Sequence, residues 1–274
     1  MSLPNPLGTE KIGRLLVQQS LPATVAMGAN ALYNLVDTIF VGRGVGTEAI
    51  GGLALAVPVQ AIVMGVGMMI GTGAASVISR ALGAGDPERA RRAAGSVFSS
   101  SALFGVAMAV LGLVFLEPLL RLLGATPTLE THARDYLSVI LLGTPAITVA
   151  MSSNNIARAE GRAKIAMTTM LTGTVTNIVL DPIFIFGLDL GVRGAALATV
   201  VSQVLSFLFL VGYFAGGHST LGLRLSHLKP DRAVIGEILS LGFPAFLRHG
   251  GGSLVMILTN NLFARFGAPI FISA

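Results

Sequence analysis

Ala49 to Ile78 reads AIGGLALAVPVQAIVMGVGMMIGTGAASVI, a run without a single charged side chain. A helix needs about 20 apolar residues to cross the hydrocarbon core of a bilayer. This run is long enough to cross with some tilt. It is also too unbroken in apolarity for a barrel strand, which would alternate over about ten residues. Lipid cannot satisfy exposed backbone groups, so such a run crosses as a helix. Six comparable stretches accompany it: Ile12 to Phe40, Ala93 to Leu116, Arg134 to Ile156, Ile165 to Phe186, Gly194 to Ala215 and Val234 to Phe263. The expectation is an all-α integral membrane protein with about seven transmembrane helices.

Composition points the same way. Hydrophobic residues are 53% of 274 positions and charged residues 11%. The mean hydropathy of +0.79 excludes an ordinary soluble domain. The charges that remain are grouped, as in Asp86 to Arg92 and Arg158 to Lys164, and these groups mark the loops. Twelve Lys and Arg fall on one side of the membrane (Lys11, Arg14, Arg80, Arg89, Arg91, Arg92, Arg158, Arg162, Lys164, Arg224, Lys229, Arg232). Five fall on the other (Arg43, Arg121, Arg134, Arg193, Arg265), while Arg248 lies within the seventh span near its inner end, where it can snorkel. Basic loops stay inside, so the N-terminus is expected in the cytoplasm of a multi-pass cell-membrane protein. An odd number of spans then puts the C-terminus outside. The first apolar stretch lacks a small-residue cleavage site and reads as a helix, not a removed signal.

The basic pI near 10.2 is better explained by anionic inner-leaflet lipid than by nucleic acid, since the basic residues sit at helix ends without interleaved aromatics. Cysteine is absent, and none of His132, His218, His227 and His249 pairs with another at a metal-ligand spacing. No cofactor and no structural metal are expected.

An ionisable residue within a span costs about 2.5–3.5 kcal/mol on insertion scales and is a functional candidate by default. Asp37 and Asp181 are two such residues, each in the outer third of its span. Asn30, Tyr33, Asn34 and Asp37 recur at i, i+3, i+4 and i+7, on one helical face. Thr174, Asn177 and Asp181 form a second stripe, and Thr199, Ser202, Gln203 and Ser206 a third. The three stripes reach similar depth and can converge on one cavity. Two carboxylates close together in a poorly solvated site resist double ionisation, so the pair is expected to hold a proton or a cation. Oxygen ligands from Asp, Asn, Thr and Tyr suit Na⁺ or H⁺ better than a transition metal.

Each residue taken singly has a plainer reading. Asp37 could end its helix near the interface, Asp181 could start a turn with Pro182, Tyr33 could belong to an aromatic belt, and Thr199 could bond back to its own helix. The case rests on the constellation. Pro22 is either a hinge in the first span or tolerated packing. Asn154 and Asn155 read first as polar glue between helices and second as cavity lining, and Asn30, Asn34 and Gln203 read as cavity lining. Met27, Met64, Met68, Met69, Met151 and Met167 could form an adaptable drug-binding wall, although filler is the commoner use of methionine.

Tyr33 with Asp37, Asn177 with Asp181 and Pro182, and Thr199 are accompanied by the loops Ala81-Leu82-Gly83-Ala84-Gly85-Asp86 and Arg158-Ala159-Glu160-Gly161-Arg162. In this combination the chain resembles the multidrug and toxic compound extrusion family, in its prokaryotic branch. The resemblance implies two six-helix lobes related by pseudosymmetry, export of cationic or amphipathic small molecules, and coupling to entry of Na⁺ or H⁺. It implies no enzyme activity. By resemblance Asp37 and Asp181 are the cation-coupling carboxylates, and so the place for Na⁺ if Na⁺ is the ion. Tyr33, Asn177 and Thr199 are their partners, and Pro22 is the bend in the first helix. The expected organisation is a six-helix N-lobe over residues 1–216, a cytoplasmic connection over 217–233 containing Lys229-Pro230-Asp231, and the first helix of a second lobe over 234–274. Leu241-Gly242-Phe243-Pro244 in that last helix echoes Ser20-Leu21-Pro22 in the first. The sequence stops at Ala268-Pro269-Ile270 and beyond without further spans, so the rest of the second lobe is expected to be missing or supplied by another chain.

Three rivals stand beside this reading. Lipid-linked oligosaccharide flippases share the architecture but line their cavity with more basic residues. A non-transporting membrane scaffold fragment would not require an ionisable pair at matched depth. An intramembrane aspartyl protease would place Gly-x-Gly-Asp at its second aspartate, where this chain has Val179-Leu180-Asp181-Pro182.

Overall fold

The computed structural model describes residues 11–223 and 225–265. Arg224 and the end Ala268-Pro269-Ile270 lie outside the described residues. Eight α-helices occur among those described: α1 Ile12–Gly44, α2 Thr47–Gly83, α3 Pro87–Val114, α4 Leu116–Leu122, α5 Pro127–Ala159, α6 Ala163–Pro182, α7 Gly191–Ala215 and α8 Arg232–Arg265. A π-helical turn, Ile183–Gly187, follows α6, and a 3₁₀ turn, Leu225–Leu228, precedes α8. Each of the seven expected spans corresponds to one long helix, and α4 is a short extra turn between the third and fourth. By length and apolarity alone, α2, α3, α5, α6 with its π turn, and α7 are able to cross a membrane. The chain is therefore a multi-pass membrane protein. In α1 and α8, which are as long, the apolar sequence is interrupted by polar residues such as Asn30, Asn34 and Asp37 or Arg248, His249 and Asn260.

Helix ends follow local chemistry. Asp86 caps α3 by accepting the Arg89 N–H at 2.9 Å, and Pro87 fills the first helical position, where no N–H is needed. The two plainer readings of the aspartates do not describe the structure. α1 continues about two turns beyond Asp37 to Gly44, so Asp37 is interior to its helix. α6 runs through Pro182 and relaxes into the π turn, so Asp181 starts no turn.

α2 and α5 are the pillars of the bundle. α2 packs along α5 and α8, α5 also carries α3 and α7, and α1 lies against α6. Two apolar clusters close the ends. One joins Leu55, Val59, Leu120, Leu137, Ile140 and Ile185, and the other joins Ile70, Ile78, Val97, Ile156, Leu210 and Ile238. Outward faces carry exposed Leu16, Leu21, Leu32 and Leu35 on α1, Leu103, Val110 and Leu111 on α3, and Leu247, Leu254 and Leu258 on α8. Apolar residues in that position fit a lipid solvent.

Polar side chains inside the bundle bond to carbonyls and tie helices together. Thr148 donates to Ser101 O at 3.0 Å, Ser152 to Gly67 O at 3.3 Å, and Ser206 to Thr169 O at 3.2 Å. α2 and α8 meet backbone to backbone: a Cβ at Gly73 would collide with the Ile238 carbonyl, and one at Gly242 with the Met69 carbonyl. Close approach of this kind requires glycine on both helices.

The segment after α7 is packed instead of hanging free. Glu160 at the end of α5 accepts from Ser219 Oγ at 2.6 Å, Tyr213 Oη at 3.1 Å and Thr220 N at 3.3 Å. Arg91 Nε donates to Leu221 O at 2.7 Å, and Ser96 Oγ accepts from Asp231 N at 3.2 Å.

Candidate functional site

Between the two apolar clusters, α1, α2, α5, α6 and α7 surround a cavity of about 450 Å³. Its lining restates the three polar stripes. α1 contributes Asn30, Tyr33 and Asn34, α6 contributes Thr174 and Asn177, and α7 contributes Thr199, Ser202, Gln203 and Ser206. Met27, Met64, Met68, Met151 and Met170 supply a thioether wall, whereas Met69 and Met167 lie elsewhere. Asn154 and Asn155 line the cavity and also bond to backbone, Asn154 Nδ2 to Ala166 O and Asn155 Nδ2 to Met151 O, each at 2.9 Å. Asn154 thus both ties α5 to α6 and faces the cavity. Arg158, one turn further along α5, is the one cation in the lining among the described residues. Pro22, buried in an unbroken α1, lies outside it.

The two aspartates do not line the cavity. They sit behind it, with Asp181 fully buried and Asp37 9% exposed. Their carboxyls face each other within hydrogen-bonding reach. Tyr33, Asn177 and Thr199 stand between them and the open space. Asn177 turns its amide nitrogen to Asp181 Oδ2 at 2.9 Å and accepts from the Thr199 backbone N–H at 3.2 Å on its oxygen, the orientation that satisfies both neighbours. The Tyr33 hydroxyl lies beside that of Thr199. Asp37 Oδ1 is buried with no hydrogen-bond partner among the described residues.

That orphaned oxygen decides the chemistry of the cluster. A buried acceptor without a donor costs about 1–3 kcal/mol, and more when charged. Two carboxyls side by side in a dry site cannot both be ionised unless a cation joins them. A proton shared by the pair satisfies Asp37 Oδ1. So does a Na⁺ ion held by the two carboxyls, the Thr199 hydroxyl and the Asn177 amide oxygen, all hard ligands. No group of three or more His, Cys, Asp and Glu residues suited to a metal ion occurs among the described residues.

One member of this cluster is absent from the stripes read in the sequence. Tyr136 of α5, 4% exposed, lies near enough to Tyr33, Asp37 and Asp181 to feel their charges, and its Oη accepts from Gln60 Nε2 of α2 at 2.9 Å. In sequence Tyr136 follows Arg134 and Asp135 and looks interfacial. Following the cavity face of α5 backward from Asn155 through Met151, Ile147, Thr144 and Ile140 in steps of three and four leads to it.

The profile of the MatE family matches residues 22–183, more than half of the chain. The multidrug export protein MepA of Staphylococcus haemolyticus (strain JCSC1435) is 32% identical over 256 residues, covering 93% of this chain and 57% of MepA. Among solved structures, the MATE multidrug transporter DinF-BH, solved with a bound dye, superposes with a TM-score of 0.92 at 41% identity, covering 97% of this chain and 60% of that one. An outward-facing multidrug resistance MATE family transporter of the MOP superfamily gives 0.85 at 33% identity, over 91% and 55%. The chain therefore spans little more than half the length of the relatives it matches.

Proposed function

This chain belongs to the MatE family, a family of transporters and not of enzymes, and from that premise we propose that it forms the N-lobe of a cation-coupled multidrug efflux antiporter. In this reading residues 1–216 are the lobe, 217–233 the inter-lobe connection and 234–274 the first helix of the second lobe. The cell membrane is the site of action. The cargo is a cationic or amphipathic small molecule, in keeping with the multidrug export role of MepA and the dye bound by DinF-BH. The methionine wall offers such cargo a deformable apolar surface, and the amides of Asn30, Asn34, Asn155 and Gln203 offer adjustable hydrogen bonds. With Arg158 as the one basic residue among those described, this lining is unlike a cavity built for polyanionic lipid headgroups.

The observation that carries the proposal is the buried carboxyl pair, walled from the cavity by Tyr33, Asn177 and Thr199. Cation and cargo then occupy separate places and communicate through three shared side chains. H⁺ or Na⁺ arriving at Asp37 and Asp181 changes what those side chains present to the cavity. Coupling requires only that cation and cargo favour different states of the lobe. Pro22 lacks the N–H that would close its turn of α1, and is the point at which α1 bends between those states.

Drug accumulation in an efflux-deficient host tests this, using the chain extended with a second lobe from a relative and the chain alone. Asp37→Asn and Asp181→Asn should each abolish cation-driven efflux while leaving membrane insertion unchanged. Ion-driven efflux that survives both substitutions would remove the assignment.

A further inference from the structure

We infer that the end of α1 and the π turn after α6 form a gate over the carboxyl pair, through which a proton or monovalent cation reaches Asp37 and Asp181 from the α6–α7 end. The inference rests on the cation-site reading above and supplies that site with an entrance.

The carboxyls and the contact beyond them lie on the same two elements. On α1, Phe40, Val41 and Gly44 follow Asp37 at i+3, i+4 and i+7, on its face of the helix and within about 10 Å of it along the axis. Across from them Ile185 and Phe186 follow Asp181 at i+4 and i+5, both in the π turn, where the Leu188 N–H reaches back five residues to Ile183 O at 2.9 Å. The Phe40 and Phe186 rings pack edge to face with centroids 6.1 Å apart. Gly44 comes so close to the π turn that a Cβ there would stand 2.5 Å from Ile185 Cγ2 and 2.8 Å from the Phe186 ring. Val41 and Ile185 are buried in this contact's apolar cluster.

Of the walls around the pair this one is the least fastened. Towards the cavity, Asn177 ties α6 to α7 through the Thr199 N–H. On α5, Tyr136 is bonded to Gln60 of α2, and beside it Asp135 pairs with Arg193 of α7 at 2.8 Å. Beyond Asp37, by contrast, no side chain of α1 makes a hydrogen bond or ion pair with another element among the described residues. Thr38 bonds back to Asn34 O, and the contact with the π turn is apolar. Parting these surfaces breaks dispersion contacts alone, whereas parting the other walls also breaks hydrogen bonds or an ion pair. Single π turns occur mostly at functional sites, and this one begins two residues after Asp181. Shut, the contact keeps the pair dry. Open, it admits a cation from the side away from the cavity, so that cation and cargo enter by different routes.

A disulfide across the contact tests the gate and the coupling separately. With a Cβ at Gly44 only 2.5 Å from Ile185 Cγ2, the two Cβ positions are about 4 Å apart or less, the separation a disulfide needs, and the chain has no other thiol. In Gly44→Cys/Ile185→Cys the smaller side chain at 185 makes room for the one at 44. The intact double variant in lipid nanodiscs is oxidised or kept reduced and exposed to a water-soluble quaternary-ammonium carbodiimide, and the labelled carboxyls are located by peptide mass. The disulfide should slow labelling of Asp37 and Asp181 about tenfold or more, because the reagent reaches them only through openings, and a reductant should restore the rate. Phe186→Ala, at a side chain already 49% exposed, should speed labelling about fivefold, the size expected from losing one aromatic pair. Equal labelling of the oxidised and reduced forms, including none in both, overturns the inference, as do thiols that do not join or a Phe186→Ala protein that labels no faster. In the lobe-extended transporter the oxidised form should lose cation-driven efflux and regain it on reduction, and efflux that persists through the disulfide also overturns the gate. If the disulfide controls labelling while Asp37→Asn keeps full cation dependence, the gate stands and the cation-coupling reading falls. If Asp37→Asn abolishes cation-driven efflux while labelling ignores the disulfide, the coupling reading stands and the gate falls.

Discussion

Asn177 shows what one side chain does when both of its ends are employed. Its nitrogen holds Asp181, its oxygen takes the Thr199 N–H, and its outer surface meets the cavity. Asn177→Ala removes both bonds and leaves Asp181 with no donor on the cavity side. A hydrogen bond to a charged group is worth about 1.5–3 kcal/mol and favours the ionised carboxyl, so without it the H⁺ concentration for half-maximal efflux should fall at least tenfold, while that of Na⁺, which loses the amide oxygen as a ligand, should rise, and the protein should still insert. Asn177→Asp should lower the concentration needed of either cation, because a third carboxyl joins two that already crowd each other. Efflux titrated against Na⁺ and against pH measures both variants, and an unchanged midpoint in Asn177→Ala would detach that residue from the cation. Asn30, Tyr33, Asn34, Asn177, Thr199 and Gln203 were all legible as members of helical stripes, because a period of three and four is visible in one dimension. The position of the two aspartates behind the cavity was not. Depth along a helix can be read from residue count, but the layering of side chains across the bundle depends on which helices are neighbours. Gln60 and Tyr136 escaped for the same reason. Gln60 lies alone on its helix, Tyr136 continues a face that starts far along α5, and the two meet by contact across 76 residues of sequence.

At the scale of elements, the long helices were written in apolar runs, while the pieces between them were not. α4 and the π turn after Pro182 carry no periodic signal. The segment 217–233 reads in sequence as a polar connection, and its described residues are held to the bundle by Glu160, Arg91 and Ser96. Glu160 is the centre of that attachment. Burial pushes its carboxyl above the usual range, and the hydrogen bonds from Ser219, Tyr213 and Thr220 offset only part of the shift. The folded state therefore binds a proton more readily than the unfolded chain does. Stability from this group falls as pH rises from the ordinary glutamate value of about 4.3 through the raised one, and is flat above it. Hydrogen exchange at the Thr220 and Leu221 amides reads this directly, since the first donates to Glu160 and the second to Ser219 Oγ. Their protection, corrected for intrinsic exchange, should decline across that window. Glu160→Gln should remove the decline. It should also weaken protection by about 1–3 kcal/mol throughout, because whichever way the amide turns, its nitrogen stands where a carboxyl oxygen now accepts. Protection that is equal in both proteins at every pH would show that Glu160 does not hold the segment.

For the whole molecule, the open question with the sharpest answer is which way it faces. The α2–α3 turn, the α5–α6 turn and the segment before α8 share one end of the bundle, tied by Glu160, by Arg91 and by Gln19 Nε2 donating to Gly161 O at 3.2 Å. The α6–α7 connection and α4 lie at the other end, with the cluster of Leu120, Leu137 and Ile185. Ion pairs occur at both ends. Arg80 and Arg89 share Glu237 at 3.0 and 2.9 Å on the first, and Arg193 meets Asp135 at 2.8 Å on the second. Orientation follows the number of Lys and Arg in short loops, not net charge, so these pairings leave the excess of twelve over five intact. We expect the Glu160 end in the cytoplasm and the α6–α7 end outside, which also puts the carboxyl pair nearer the outer face and Arg158 nearer the inner one. The chain has no cysteine, so single introduced thiols report without background. Leu188→Cys, at an exposed position after the π turn, should react with a membrane-impermeant maleimide on intact cells. Ala84→Cys, exposed in the α2–α3 turn, should react only after permeabilisation. The reverse pattern would invert the lobe. The carboxyl pair would then lie towards the cytoplasm, and efflux driven by an inward cation gradient could not use this lobe as described.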